Sequence, residues 1–203
     1  MEPSQPSWYP TLWKNFGFKP HQSYQSRVLN LEQFETDHVI KLEKDLLDKG
    51  LRFRKLNLDK LEEELNVLAQ FNEQAFKTSL FYSPGNVDQF VDKFKMLVPS
   101  LDQDLINIAT YEDEIIGFIF MLPDFNDPLK ETCIIKTIAK KNHPRYNRLA
   151  WYLSHNAQKI AKEKGYKKVI HALMRDGNAS IKLSEMEASK LYSTYKIYAY
   201  ELS

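Results

Sequence analysis

The sequence predicts an α/β domain, and three observations carry that prediction. Thr132 to Gly165 reads as a buried strand, a short basic loop and an amphipathic helix closed by a glycine. Residues 105–123 hold two apolar runs around an acidic turn, the pattern of a hairpin. Beyond Gly165, strand and helix patterns alternate again to the end of the chain.

Bulk properties narrow the class. With 43% apolar and 27% charged residues in 203, the chain has ordinary globular composition and enough length for one substantial core. A net charge of +1 supplies no global field for nucleic acid, so any basic function is local. The single cysteine, Cys133, excludes an internal disulfide and fits a reducing compartment. It reads as core, since nothing beside it in sequence would serve as its base. No apolar run reaches membrane-spanning length, and MEPSQPSWYP has neither the basic start nor the apolar centre of a signal peptide. A cytoplasmic protein is the expectation, without nucleic-acid or membrane partners and without a metal site.

Taken in order, Leu12, Trp13 and Phe16 have helical spacing and Gly17 suits a helix end, with a strand over about Ser23–Leu29. The simplest reading packs this helix on the main body. Leu31 to Gly50 carries Phe34, His38, Leu42 and Leu46 on one stripe, a connector helix. LRFRKLNL (51–58) suits a half-buried strand, and Asp59 is placed to cap the next helix, which runs through Ala75. Asn86 is placed to cap a second helix ending before Pro99. Phe76, Phe81 and Tyr82, between these helices, are placed to line an entrance.

In the hairpin, Gly117 signals a bulge or a close backbone approach. TCIIKTIA is apolar on both faces, the mark of a central strand. Lys140, Lys141, His143, Arg145 and Arg148 then gather charge into nine residues, with Asn147 as N-cap. Free N–H groups at that helix start suit a phosphate, although such runs are as often solvated loop. YKKVIHAL is a further strand, Asn178 is placed to cap a helix or to reach a ligand, and KLYSTYKIYAYEL alternates as a closing strand.

This order of elements resembles the GCN5-related N-acetyltransferase (GNAT) superfamily over about residues 51–203. IIGFIFMLPDFN resembles a hairpin strand of a bacterial branch. IIKTIA with its loop, helix and KEKGYKKVIHALMRDGNAS resembles the coenzyme-binding strand–loop–helix together with the next strand and its asparagine. The resemblance implies a mixed, mostly antiparallel central sheet flanked by helices. Residues 8–28 resemble the last helix and strand of such a domain, and the branch includes tandem two-domain proteins. The implied organisation is therefore a remnant of a preceding domain over 1–30, a connector helix over 31–50 and the GNAT-like domain over 51–203. The N-terminal strand then needs an edge to pair with, in this chain or in a partner such as a second copy.

The resemblance also implies acetyl-CoA as co-substrate. The positions matching the pantetheine-binding strand are Thr137, Ile138 and Ala139, and those matching the pyrophosphate loop are Arg145, Asn147, Arg148, Leu149 and Ala150, with Asn178 beyond. The family loop runs Q/R-x-x-G-x-G/A. Arg145 and Ala150 match it, but Arg148 stands at the first glycine, where close backbone approach is needed. The family's acid tyrosine falls on Ser184, so Tyr192 or Tyr195 are acid candidates, and Glu131 is a base candidate. Two functions are implied: an acetyltransferase acting on a small amine or a protein amino group, or a degenerate domain that binds or regulates with little coenzyme affinity.

Overall fold

The computed structural model describes residues 5–80, 85–98 and 101–201. Its centre is a seven-stranded sheet of β1 (Lys19–Asn30), β2 (Arg52–Arg54), β3 (Ile106–Tyr111), β4 (Glu114–Pro123), β5 (Thr132–Lys140), β6 (Lys168–Arg175) and β7 (Lys190–Ala199). The strand order is β2-β3-β4-β5-β6-β1-β7. β5 and β6 are the parallel pair, and every other neighbouring pair is antiparallel. The mixed, mostly antiparallel sheet expected from the sequence is therefore the observed one.

The helices are α1 (Tyr9–Asn15), α2 (Asp37–Asp48), α3 (Leu61–Phe76), α4 (Val87–Leu97), α5 (Leu149–Glu163) and α6 (Ala179–Met186). Two apolar layers cover the sheet. On one face Val39, Leu42 and Leu46 of α2 and Leu149, Leu153 and Ala157 of α5 close over Met121, Cys133, Ile135 and Val169. On the other, Leu68 and Phe71 of α3 pack with Ile108, Phe118, Phe120 and Ala139. Each large apolar side chain withdrawn from water contributes about 1.5–3 kcal/mol. Among the described residues no helix is long and apolar enough to cross a membrane.

The hairpin turns at Glu112 and Asp113, both with positive φ, as a tight hairpin turn demands. Its register slips at Ile116, which has no partner between the pairs Ala109–Gly117 and Thr110–Ile115. At Gly117 an added Cβ would stand 3.0 Å from the Ala139 carbonyl oxygen and 3.0 Å from Leu149 Cδ2. Both readings of this glycine hold: a bulge beside it and a close approach at it.

Several element limits differ from expectation. Leu31–Gln33 is a 3-10 turn capped by Asn30, so α2 begins only at Asp37. The strand expected over 51–58 keeps only Arg52–Arg54, because Leu56 turns into the core and Asn57 caps a 3-10 turn. Asp59 is thus not the cap; its N–H donates to Asn57 Oδ1 at 3.1 Å. Asn147 ends the 3-10 turn Pro144–Tyr146 instead of capping α5, whose N-cap is Arg148 with no side-chain hydrogen bond. Asn86 does cap α4, accepting from Asp88 N at 2.7 Å. α1 lies on the surface with none of its residues buried, and its Trp13 meets Phe18 edge-on, Phe18 in turn contacting Tyr200.

β1 runs between β6 and β7 and pairs with both, Arg27 standing opposite His171 on one side and Leu191 on the other. The strand that needed a partner edge thus has two, and β1 shares one sheet with β2–β7.

Candidate functional site

The parallel ladder between β5 and β6 stops at the Ile135–His171 pair, and both strands become irregular just beyond it. In β5, Lys136 is bulged out between the pairs Phe120–Thr137 and Met121–Ile135. In β6, Leu173 has φ +51, a strained value for a leucine, and its N–H donates to the buried Ser26 Oγ of β1 at 3.2 Å. A bulge bends its strand. Here each strand carries one irregularity just past the last shared pair, where the strands part, and β6 continues against β1 through Met174 and Arg175.

The gap is a cleft of about 670 Å³. Ile135–Lys140 form one wall, His171–Met174 and Asn178 the other, and Asn72, Ala75 and Phe76 of α3 a third. The size suits a small-molecule ligand. Thr137, Ile138 and Ala139 line the cleft beyond the last β5–β6 pair while staying paired with β4 on their other side. Thr137 also borders a narrow apolar cavity under α3 and α4, lined by Leu68, Phe90, Phe94 and Phe120. Phe76 lines the cleft as expected; Phe81 and Tyr82 lie outside the described residues.

Not every candidate meets in the cleft. Asn178 lines it, but its side chain caps α6 by accepting from Ser180 N at 3.2 Å. Arg145–Ala150 are not on its walls. Arg145 stacks its guanidinium 4.4 Å above the Tyr111 ring, and Arg148 is exposed, 4.0 Å from Asp45. The amides of Arg145, Tyr146 and Asn147 are spent within the turn, on His143 Nδ1, His143 O and Pro144 O. The first bond of α5 runs from Tyr152 N to Arg148 O, so the preceding amides, Arg148 to Trp151, have no intrahelical partner. Glu131 sits before β5, at the end remote from the cleft, its carbonyl accepting from Lys167 and Lys168. Tyr192 and Tyr195 are on the edge strand β7, separated from β6 by β1. Ser184 is fully buried and holds Ser189 Oγ at 2.7 Å.

The sequence reading missed a buried polar chain on the α2/α5 face. His171 Nε2 stands 3.4 Å from Glu187 Oε2 and 3.2 Å from Gln158 Nε2. Gln158 Nε2 also donates to Glu187 Oε2 at 2.7 Å and to Ser154 Oγ at 3.0 Å. Glu187 Oε1 lies 3.0 Å from His155 Nε2, within ion-pair reach though off the line of a good hydrogen bond. His155 Nδ1 meets His38 Nε2, and the His38 ring stacks on Trp151. His38 and His155, with Glu187, border a second cavity of about 420 Å³.

Burial holds the imidazoles of His171 and His38 below their ordinary pKa, His155 adding to the effect, while Glu187 opposes it. Burial works to raise the Glu187 carboxyl, but His155, His171 and Gln158 outweigh it and hold it below the usual carboxylate range. Cys133 is fully buried and its thiol is pushed up to about 12, chiefly by burial. One signal for the chain was present in the sequence: Ser154, His155 and Gln158 interrupt the apolar stripe of Leu153, Ala157 and Ala161 on a helix that is buried there.

No protein-family model matches the sequence, and no curated protein matches it either. Solved structures do. The chain is similar to a GCN5-related glucosamine N-acetyltransferase region of a fungal multi-domain GH3 β-N-acetylglucosaminidase, with TM-score 0.69 and 10% identity over 98% of this chain and 23% of that one. It is similar to a GCN5-related N-acetyltransferase from Sphaerobacter thermophilus, with TM-score 0.68 and 14% identity over 96% of this chain and 56% of that one. A tandem GNAT protein from the clavulanic acid biosynthesis pathway gives TM-score 0.64 and 11% identity over 97% and 59%. The chain thus spans less than two thirds of each of these proteins. At such identities the likeness is one of fold, and the fold is that of the GCN5-related N-acetyltransferases.

Proposed function

On the premise of that fold, we propose that the chain transfers an acetyl group from acetyl-CoA to an amine, a small molecule or a protein amino group, in the cleft between β5 and β6. One observation carries the reading: Thr137–Ala139, beyond the last β5–β6 pair, form one wall of a ligand-sized cleft where the strands part. That side of β5 offers the pantetheine arm the amide hydrogen bonds that β6 has given up. The amides of Arg148, Leu149 and Ala150 at the start of α5 suit the pyrophosphate, with the Arg148 side chain supplying charge where the glycine is missing. Acetyl-CoA supplies the activated acyl group; the protein orients the thioester and receives the acceptor beside Asn72, Ala75 and Phe76.

A second reading is favoured by one feature. The amides of Arg145 and Asn147 are closed into the turn, so the loop presents fewer free donors than the resemblance implies. A module with little coenzyme affinity fits that shortage.

Calorimetric titration with acetyl-CoA separates the two. The expected Kd is roughly micromolar or weaker, and Arg148→Ala should weaken it about fivefold, as should added salt. Absence of heat at millimolar coenzyme removes the transferase reading and leaves the module.

A further inference from the structure

Acetylating an amine at neutral pH releases a proton that has to leave the site. The acceptor arrives as an ammonium ion, R–NH3⁺, and must lose one proton before its nitrogen lone pair can attack the thioester carbonyl. As the N–C bond forms and the C–S bond breaks, the nitrogen loses a second proton and the thiolate takes one up. The products are the amide, the thiol and one surplus proton, so the site needs a group that accepts it and a route that removes it.

Among the described residues lining the cleft there is no Asp or Glu, and the titratable side chains are Lys136, Lys140 and His171. Of these, only the His171 imidazole belongs to a side-chain type whose unperturbed pKa lies near neutrality. It lies at the last β5–β6 pair, where the strands part, and the acetyl end of a coenzyme arm along Thr137–Ala139 would be near it. Its Nε2 faces inward to Glu187 and Gln158, which leaves Nδ1 as its proton-accepting atom whenever Nε2 donates to Glu187.

We propose that His171 takes the surplus proton of the acceptor amine and that Glu187, His155 and His38 relay it to the second cavity, an inference that rests on the acyl-transfer reading of the cleft. Each member has the two atoms a relay needs. The Glu187 carboxylate stands 3.4 Å from His171 Nε2 through Oε2 and 3.0 Å from His155 Nε2 through Oε1, so a proton taken on Oε2 passes to His155 only after the carboxyl rotates to present it. His155 gives from Nδ1 to His38 Nε2, and half-buried His38 opens on a cavity also lined by Gln33, Glu35, Lys168 and Lys190. The relay does not pass through the cleft, so coenzyme and acceptor do not block it.

His171 faces Glu187, His155 and, from β1, Arg27; burial holds its imidazole below the ordinary pKa, Glu187 opposing and His155 and Arg27 adding to the effect. Arg27 is held in place by Ser189, through Nε at 3.0 Å and Nη2 at 2.7 Å, and pairs with Glu185 at 3.4 Å. At the other end burial and then His155 hold His38 below its ordinary pKa, with Glu35, Glu187 and Asp37 opposing them.

Three measurements on the intact protein test this. The first is acetyl-CoA calorimetry; absence of binding overturns the acyl-transfer reading and, with it, the role of His171. The second is thiol release with spermidine and a lysine-containing peptide as probe amines. His171→Asn should lower kcat roughly 100-fold and His38→Asn about tenfold at pH 7, with KM and coenzyme affinity within about twofold. An unchanged kcat in His38→Asn overturns the relay. The third needs no turnover: nitrogen NMR of labelled histidines in the coenzyme-free protein. Coupled sites titrate together, so His38→Asn and Glu187→Gln should each shift the His171 midpoint by about threefold or more in proton affinity. A His171 titration identical in wild type and His38→Asn overturns the relay even where coenzyme binds, and Glu187→Gln, which keeps the side-chain volume, guards against a result that is only loss of packing.

Discussion

Gly117 shows how a single missing methyl supports a site some distance along the chain. Its backbone lets β4 approach the Ala139 carbonyl and the Leu149 side chain, and those residues belong to the cleft wall and to the first turn of α5. Gly117→Ala would drive a methyl against backbone that has little room to move. The expected loss is about 1–3 kcal/mol of stability in denaturant titration, together with weaker coenzyme binding as Leu149 is displaced. Unchanged stability would mean that β4 and β5 are looser than the structure shows. The buried histidines and Glu187 are the opposite case at this scale, since their value lies in what they touch. They come from α2, α5, β6 and the residue following α6, and nothing local in the sequence joins Glu187 to His38.

At the scale of elements, β1 is the piece whose removal changes most. It is an interior strand, with Val28 facing Ile170 on β6 and Lys190 on β7. A proline at Val28 removes a ladder donor and is confined by its ring in a strand paired on both sides, so Val28→Pro should cost about 3 kcal/mol or more. The check is the denaturation midpoint, and a variant as stable as the parent would show that β1 is dispensable. The elements themselves were largely legible. The hairpin, the double-faced strand β5 and the stripes of α3, α4 and α5 emerge from periodicity, because each buries a continuous apolar face. The limits were less so where 3-10 turns intervene: Asn57 and His143 each accept the amide two residues on and displace the caps read at Asp59 and Asn147. The splay of β5 from β6 was not legible at all, since a bulge at Lys136 depends on which strands flank it.

Across the molecule, charge ties distant segments together at the sheet's far side. Lys164, just after α5, reaches Asp102 at 2.8 Å and Asp104 at 2.6 Å, and Asp104 also meets Lys55 beyond β2. Hydrogen bonds from Lys164 and then Lys55 hold the Asp104 carboxyl down to about 2. Its folded pKa lies below the unfolded value of about 3.9. The stability it contributes is therefore present above about pH 4 and lost as pH falls toward 2. The group is about one-third exposed, so salt screens part of the effect. Denaturation midpoints measured across pH 2–5 should fall with acid, and Asp104→Asn should flatten that fall; parallel curves for parent and variant would remove Asp104 as its source.

The position of β1 also sets a timetable. Arg27 waits for His171, some 140 residues later in the chain, and β7 is later still. Closing a loop of that length costs about 2 kcal/mol more than closing one of ten residues, and sheets built from such remote contacts assemble slowly. A growing chain emerging from the ribosome therefore exposes β1 before any strand exists to receive it. The parted strands and the His171 chain are complete only once β1 has entered, because Ser26 holds the kink at Leu173 and Arg27 stands opposite His171. The cleft is thus among the last parts of the molecule to form, and a chain interrupted before β6 lacks the wall of His171–Met174 and Asn178 that closes it.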